Sequence, residues 1–215
     1  MGRVVNPHDL LRLAPGTPGF PDAPTWVAAS LKRAPFVVVR RAVSVSVDGL
    51  IAVGIRGAVR SERFGSWLDP RHVEQVLEPE TLLANLKPSI TRAKLPAFAL
   101  LQTIAPLCDS SGYVWGPTGS AGFELASGSP TVTQTSDLDL LLRAPEPLDR
   151  VTAKSLCDAL SQAALDHGTR IDIQIQTLDG AFSLAEYAHP GARVMLRCAD
   201  GPKLVADPWQ TSRAA

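Results

Sequence analysis

The chain is poor in the residues that build disulfide frameworks, zinc clusters and nucleic-acid platforms. Its 215 residues include three cysteines and four histidines. Cys108, Cys157 and Cys198 are odd in number, far apart and never in CxxC spacing. That argues against a disulfide scaffold and for small buried thiols in a reducing cytoplasm. His8, His72, His167 and His189 are scattered without ligand spacing, so structural zinc is not expected. No apolar run reaches the roughly eighteen residues that a membrane helix needs. The opening MGRVVNPHDLLRLAPG lacks the uninterrupted apolar core of a signal peptide. There is no Lys/Arg block, and aromatics make up only 6%, which speaks against general nucleic-acid binding.

What is present is ordinary globular material, 45% hydrophobic and 20% charged. The net charge is zero but unevenly spread. Residues 1–100 carry 13 Lys/Arg against 8 Asp/Glu, and residues 101–215 carry 8 against 13. A basic half can receive an anion while an acidic half holds cations, or the two halves can simply complement each other. Residues 1–88 read as a β-rich lobe. Its Pro/Gly-rich lead-in has one helical turn at HDLLRL, followed by a helix at TWVAASLKRAP. β-branched runs flank Asp48-Gly49, a hairpin signal, and a loop holds Arg60 and Arg63. DPRHVEQVLEPETLLANL reads as an interrupted helix. Residues 89–215 read as an α/β domain: a helix over 95–107, strand 113–116, a turn and short helix over 119–126, and strand 137–143. A long helix over 148–168 follows, then strand 170–177, a short helix at FSLAEYA and two closing strands. The fold class is α/β (α+β), a mixed sheet with helices preceded by a smaller β-rich domain.

Three features in the second half carry chemistry. Gly119-Ser120 lies between a strand and a helix start, where backbone N–H groups can bind phosphate oxygens. Asp137 and Asp139 are spaced to leave one face of a strand. In RIDIQIQT, Ile171, Ile173 and Ile175 face one way, and Asp172 faces the other with two glutamines. Three carboxylates converging on one point repel each other unless divalent cations sit between them. Oxygen ligands of this kind suit Mg²⁺ or Mn²⁺, with phosphate oxygens completing the shell.

The order Gly-Ser, Asp-x-Asp, Asp resembles the DNA polymerase β-type nucleotidyltransferase superfamily. The interval from Ser120 to Asp137, AGFELASGSPTVTQT, is longer than in most small members and points to a subgroup with its own insert. NPHDLLRL, VVVRRA, VGIRG with RSERF, GPTGSAGFELASG, SDLDLLLR, RIDIQIQT and FSLAEYA together resemble malonate decarboxylase holo-acyl-carrier-protein synthases, also called phosphoribosyl-dephospho-CoA transferases. The resemblance covers nearly the whole chain. It implies that 2′-(5″-triphosphoribosyl)-3′-dephospho-CoA gives up its prosthetic group to a serine of the acyl carrier subunit of malonate decarboxylase, with loss of pyrophosphate. The expected roles follow from that reaction. Asp137 and Asp139 hold two ions, Asp172 completes the second and is a candidate base, and Gly119 and Ser120 grip the β- and γ-phosphates. Arg40, Arg41, Arg56, Arg60 and Arg63 are candidate donor ligands. Arg56 ranks first among them because Gly54 and Gly57 permit close approach. His8 caps a turn or touches substrate, and Trp115 packs in the core or lines a sugar pocket. Two alternatives stand beside this reading: an ATP-dependent adenylyltransferase, and a catalytically silent nucleotide-binding module.

Overall fold

The computed structural model describes residues 5–42, 49–59, 61–85, 92–191 and 193–210. Arg60, Asp48 of the expected hairpin turn and the 88/89 boundary lie outside them.

Two sheets organise the described residues. The first contains β1 (Leu10–Leu13), β2 (Phe36–Val39), β3 (Ile51–Arg56), β4 (Arg63–Leu68) and β5 (Val73–Leu77), in the order β4-β3-β2-β1-β5. Every pairing in it is antiparallel. Helix α1 (Thr25–Arg33) packs on β3 and contributes Val27 to a core with Leu11, Val37, Val53 and Ile55. Two expectations fail here. HDLLRL is β1 rather than a helical turn, and the helix expected around VEQVL is the edge strand β5, between 3₁₀ turns at Pro70–His72 and Pro79–Asn85. Both segments are too short to hold a helix alone, the second being cut off by Pro79, and pairing with each other satisfies their backbone groups. RFGSWL, expected to begin in a loop, is β4.

The second sheet is mixed. It holds β6 (Val114–Pro117), β7 (Leu138–Arg143), β8 (Ile171–Gln176), β9 (Gly180–Ser183), β10 (Val194–Cys198) and β11 (Gly201–Val205), in sequential spatial order. Only β7 and β8 are parallel, joined through the long helix α4 (Arg150–Asp166), as a parallel pair requires. Asp149 caps α4 by accepting from the Val151 and Thr152 amides. Helix α2 (Pro96–Ser110), α4 and α5 (Leu184–Ala188) contribute Phe98, Leu160 and Leu184 to the core against Leu138, Leu140, Leu142, Ile173 and Ile175. Alternation along β7 and β8 therefore commits one face to the core and turns Asp139, Asp172 and Gln174 to the other.

The opposite face looks toward the first sheet. Leu10, Phe36 and Leu82 form an apolar joint there, packed against Leu77 and Phe123. Arg143 at the end of β7 is clasped by Glu80 through Nε (2.8 Å) and Nη2 (3.1 Å) and lies 3.5 Å from buried Asp9. His8, held at φ +76°, donates from Nε2 to Gln174 Oε1 at 2.6 Å. Side chains of residues 8–10 thus span from β1 to the exposed face of the second sheet.

Candidate active site

A cleft of about 940 Å³ opens between the sheets. Its floor is the polar face of β7 and β8, where Asp139 and Asp172 are direct register partners. Parallel neighbours lie about 4.8 Å apart, so two carboxylates stand side by side at one spot. Among the described residues lining the cleft they are the only carboxylates.

Helix α3 (Gly119–Ser127) begins beside them. Thr118 donates its amide to the Asp139 carbonyl at 2.8 Å, which fixes the turn onto β7. Its side chain makes no capping bond, and the helix ladder starts with Gly122 N–H to the Thr118 carbonyl. The first-turn amides are therefore left for an external acceptor. Gly119 sits at φ +58°, and a Cβ there would overlap Asp139 Oδ2. Glycine is required twice, by its backbone angle and by the carboxylate against it.

Asp137 and Asp139 stay neighbours, but only Asp139 lines the first cleft. Asp137 precedes β7, lies 3.4 Å from Arg170, and lines a second cleft of about 710 Å³. That cleft also takes in Ser120 and meets the first at Asp139, Arg56 and Arg63. Among the described residues, no three His, Cys, Asp or Glu side chains make a ready-formed metal cluster. The donor set still fits one kind of ion. Mg²⁺ is commonly held by one or two carboxylates, with phosphate oxygens and water completing its shell, and Asp139 with Asp172 supply that protein share.

The roof is cationic. Arg40, Arg41, Arg56 and Arg63 line the first cleft. Arg56 and Arg63 are cross-strand partners, a like-charge pairing that an anion would relieve. The glycines flanking Arg56 serve its neighbours instead: Gly54, with Gly65, makes room for the Arg40 side chain, and Gly57 makes room for Glu62. Arg41 is half-buried, its Nη2 enclosed without a hydrogen-bond partner, and burial lowers its pKa. Burial, with Arg41, Arg143 and Arg197 nearby, also holds His8 below the usual histidine range. Trp115 is core, its indole N–H donating to Asp109 at 2.8 Å. Cys108 is buried, its thiol pushed up to about 12 by desolvation.

Arg197 and Gln174 were not singled out as site residues from the sequence, whereas the 121–135 interval was, as an insert without an assigned role. Gln174 shares the alternation that exposed Asp172, and that was the available signal. Arg197 reaches the cleft only through sheet order. The long interval after Ser120 is a folded wall of the second cleft: buried Glu124 accepts from the Thr131 and Val132 amides, each at 2.8 Å, and is paired with Arg92.

Two family models match the chain. Residues 83–208 match the phosphoribosyl-dephospho-CoA transferase MdcG C-terminal domain, and residues 6–79 match the corresponding N-terminal domain. A phosphoribosyl-dephospho-CoA transferase of Pseudomonas fluorescens is 43% identical over 97% of this chain and 96% of its own length. Relatives of the same name from Azotobacter vinelandii and Pseudomonas aeruginosa are 42% and 40% identical, each over 95% of this chain and 94% and 93% of their own. No solved structure matches the chain.

Proposed function

The chain belongs to the phosphoribosyl-dephospho-CoA transferase family, and on that basis we propose that it loads the acyl carrier subunit of malonate decarboxylase. The donor is 2′-(5″-triphosphoribosyl)-3′-dephospho-CoA and the acceptor a carrier serine. The observation that carries this reading is the register pairing of Asp139 with Asp172 beside the uncapped start of α3, in a cleft roofed by arginines.

The serine Oγ forms a bond to the α-phosphorus, the bond from that phosphorus to the β-bridging oxygen breaks, and pyrophosphate departs. The serine proton passes to a base, for which Asp172, exposed on the cleft floor, is the candidate. Asp139 and Asp172, with Asp137 at the neighbouring cleft, are the residues that would hold Mg²⁺ or Mn²⁺. Such ions, one or two of them, supply charge stabilisation at the attacking and leaving oxygens when bound. The amides of Gly119 and Ser120 receive the β- and γ-phosphates, which need donors as charge builds on the leaving group. Arg56 adds a guanidinium group suited to the triphosphate, and Arg41, deeper in the cleft, one for the donor's other phosphates. Arg60, outside the described residues, belongs to the same proposed set.

Mass spectrometry of the carrier, with protein, donor and Mg²⁺, tests this. We expect a mass gain equal to the phosphoribosyl-dephospho-CoA group and one pyrophosphate released per carrier. Asp139→Asn should slow loading about 10²–10³-fold, as loss of a transition-state electrostatic group does. Adenylylated carrier with ATP in place of the donor, or unchanged loading by Asp139→Asn, would overturn the assignment.

A further inference from the structure

The cleft is longer than a triphosphate site needs, and its far end carries cations without carboxylates. Along β8, Asp172, Gln174 and Gln176 share one face. Gln176 is the register partner of Ala181 on β9, and Ala181 in turn of Arg197 on β10. Cross-strand partners point to the same side of a sheet, so Arg197 projects from the same face as Asp139 and Asp172. It does so about 13 Å farther along β8 and about 10 Å across two strands. Arg41 approaches the same end from the first sheet, and both line the cleft. Their proximity shows electrostatically: Arg197 depresses the Arg41 pKa, after burial as the larger cause, and both depress that of His8. Asp200, near Cys198 on this side, is already held by Lys203 at 2.6 Å.

An enclosed guanidinium nitrogen with no acceptor is costly to keep, and Arg41 Nη2 is one. With Arg197 as a second cation beside it, that end of the cleft asks for a multiply charged oxyanion. The donor carries two anionic groups, the triphosphate and the diphosphate of its dephospho-CoA arm, with two riboses between them. The cleft has two places for them. Resting on the donor-transfer reading above, we infer that Arg41 and Arg197 form a separate anion subsite that binds the diphosphate of the dephospho-CoA arm, while the Gly119–Asp139 end takes the triphosphate. The subsite selects a CoA-bearing donor over ATP, which has no second anionic group at that distance.

Isothermal titration with two partial ligands separates the subsites: dephospho-CoA, which lacks the triphosphate, and tripolyphosphate with Mg²⁺. Arg197→Gln is the main variant because Arg197 is exposed and its loss leaves the core intact. Arg41→Gln is the second. Each should weaken dephospho-CoA about tenfold or more, the size of one charge-assisted contact, and leave tripolyphosphate within twofold. In turnover, Arg197→Gln should raise the donor KM by a similar factor with kcat nearly unchanged. Equal weakening of both ligands would mean diffuse attraction only and would overturn the subsite, as would unchanged or undetectable dephospho-CoA binding. The titrations involve no carrier and no turnover. Failure of the transfer reading would instead show as wild-type protein that binds dephospho-CoA yet loads no carrier.

Discussion

Gly119 concentrates the requirements of the site into one residue. A methyl group there must displace the Asp139 carboxylate, reorganise a backbone at φ +58°, or both. Displacements on the scale of an ångström at a reacting centre can cost about 100-fold in rate. Gly119→Ala is therefore expected to lose about 100-fold in carrier loading and to lower Tm by several degrees, while its far-UV circular dichroism stays close to wild type because the clash is confined to the cleft edge. Asp9 makes a different statement. Its carboxyl is buried, and desolvation raises its pKa from 3.8 to about 6, although the Asn6 amide and Arg143 oppose the shift. Arg143 is weak compensation because Glu80 holds its guanidinium more closely. Between pH 4 and 6 the unfolded chain has already released this proton while the folded chain retains it. Deprotonation thus favours unfolding, and stability falls as pH rises through that window. Thermal unfolding should show a component of Tm that declines from pH 4 to about 6, and Asp9→Asn should flatten it.

At the scale of elements, α3 and the segment behind it act as a unit. Gly128, at φ +70°, ends the helix, and the chain folds back so that Thr131 Oγ1 donates to the Ser120 carbonyl at 2.9 Å. Glu124 holds the fold-back from inside the helix, with Arg92 Nη2 donating to it at 2.6 Å and to the Val132 carbonyl at 2.9 Å. Burial alone would raise the Glu124 pKa; Arg92 and the two amides hold it below the usual range. Removing one partner of a buried pair leaves the other uncompensated, at about 3–5 kcal/mol. Arg92 is partly exposed, so Arg92→Ala should fall near the lower end, about 3 kcal/mol, in urea denaturation. Loading should slow as well, because the wall of the second cleft loses its anchor.

For the molecule as a whole, the cleft sets four arginines of the first sheet's half opposite Asp139 and Asp172 of the second. The uneven charge in the sequence is thus a division across the cleft. Arg40, Arg56 and Arg63 are exposed, so their pull on an anion is open to screening. Raising ionic strength from about 0.05 M to about 0.5 M shortens the Debye length from roughly 14 to roughly 4 Å. The donor KM should rise several-fold over that range while kcat holds, measured by initial rates of pyrophosphate release. An equal fall in kcat would show that salt acts on the chemistry rather than on capture. Among the described residues, no helix is long and apolar enough to cross a membrane.

The strands that carry the site were legible because burial on one face writes a period of two into the chain: Leu138, Leu140 and Leu142 in one strand, Ile171, Ile173 and Ile175 in the other. The Gly-Ser turn was legible for a similar local reason, since a left-handed backbone angle against a neighbouring group admits little but glycine. VEQVL and LLRL were misread because their pairing with each other, across some sixty residues, decides their form, and local propensity is too weak to oppose it. Pattern could not say that Asp139 pairs with Asp172 and joins two clefts while Asp137 lines only the second, because register between strands is set by packing. Nor could it bring Arg197 into the cleft, which takes the sheet order β8-β9-β10 to do. The sequence by itself determined which residues face a core and which are chemically equipped. Tertiary structure decided which of them meet, because meeting depends on the register and layering of segments far apart in the chain.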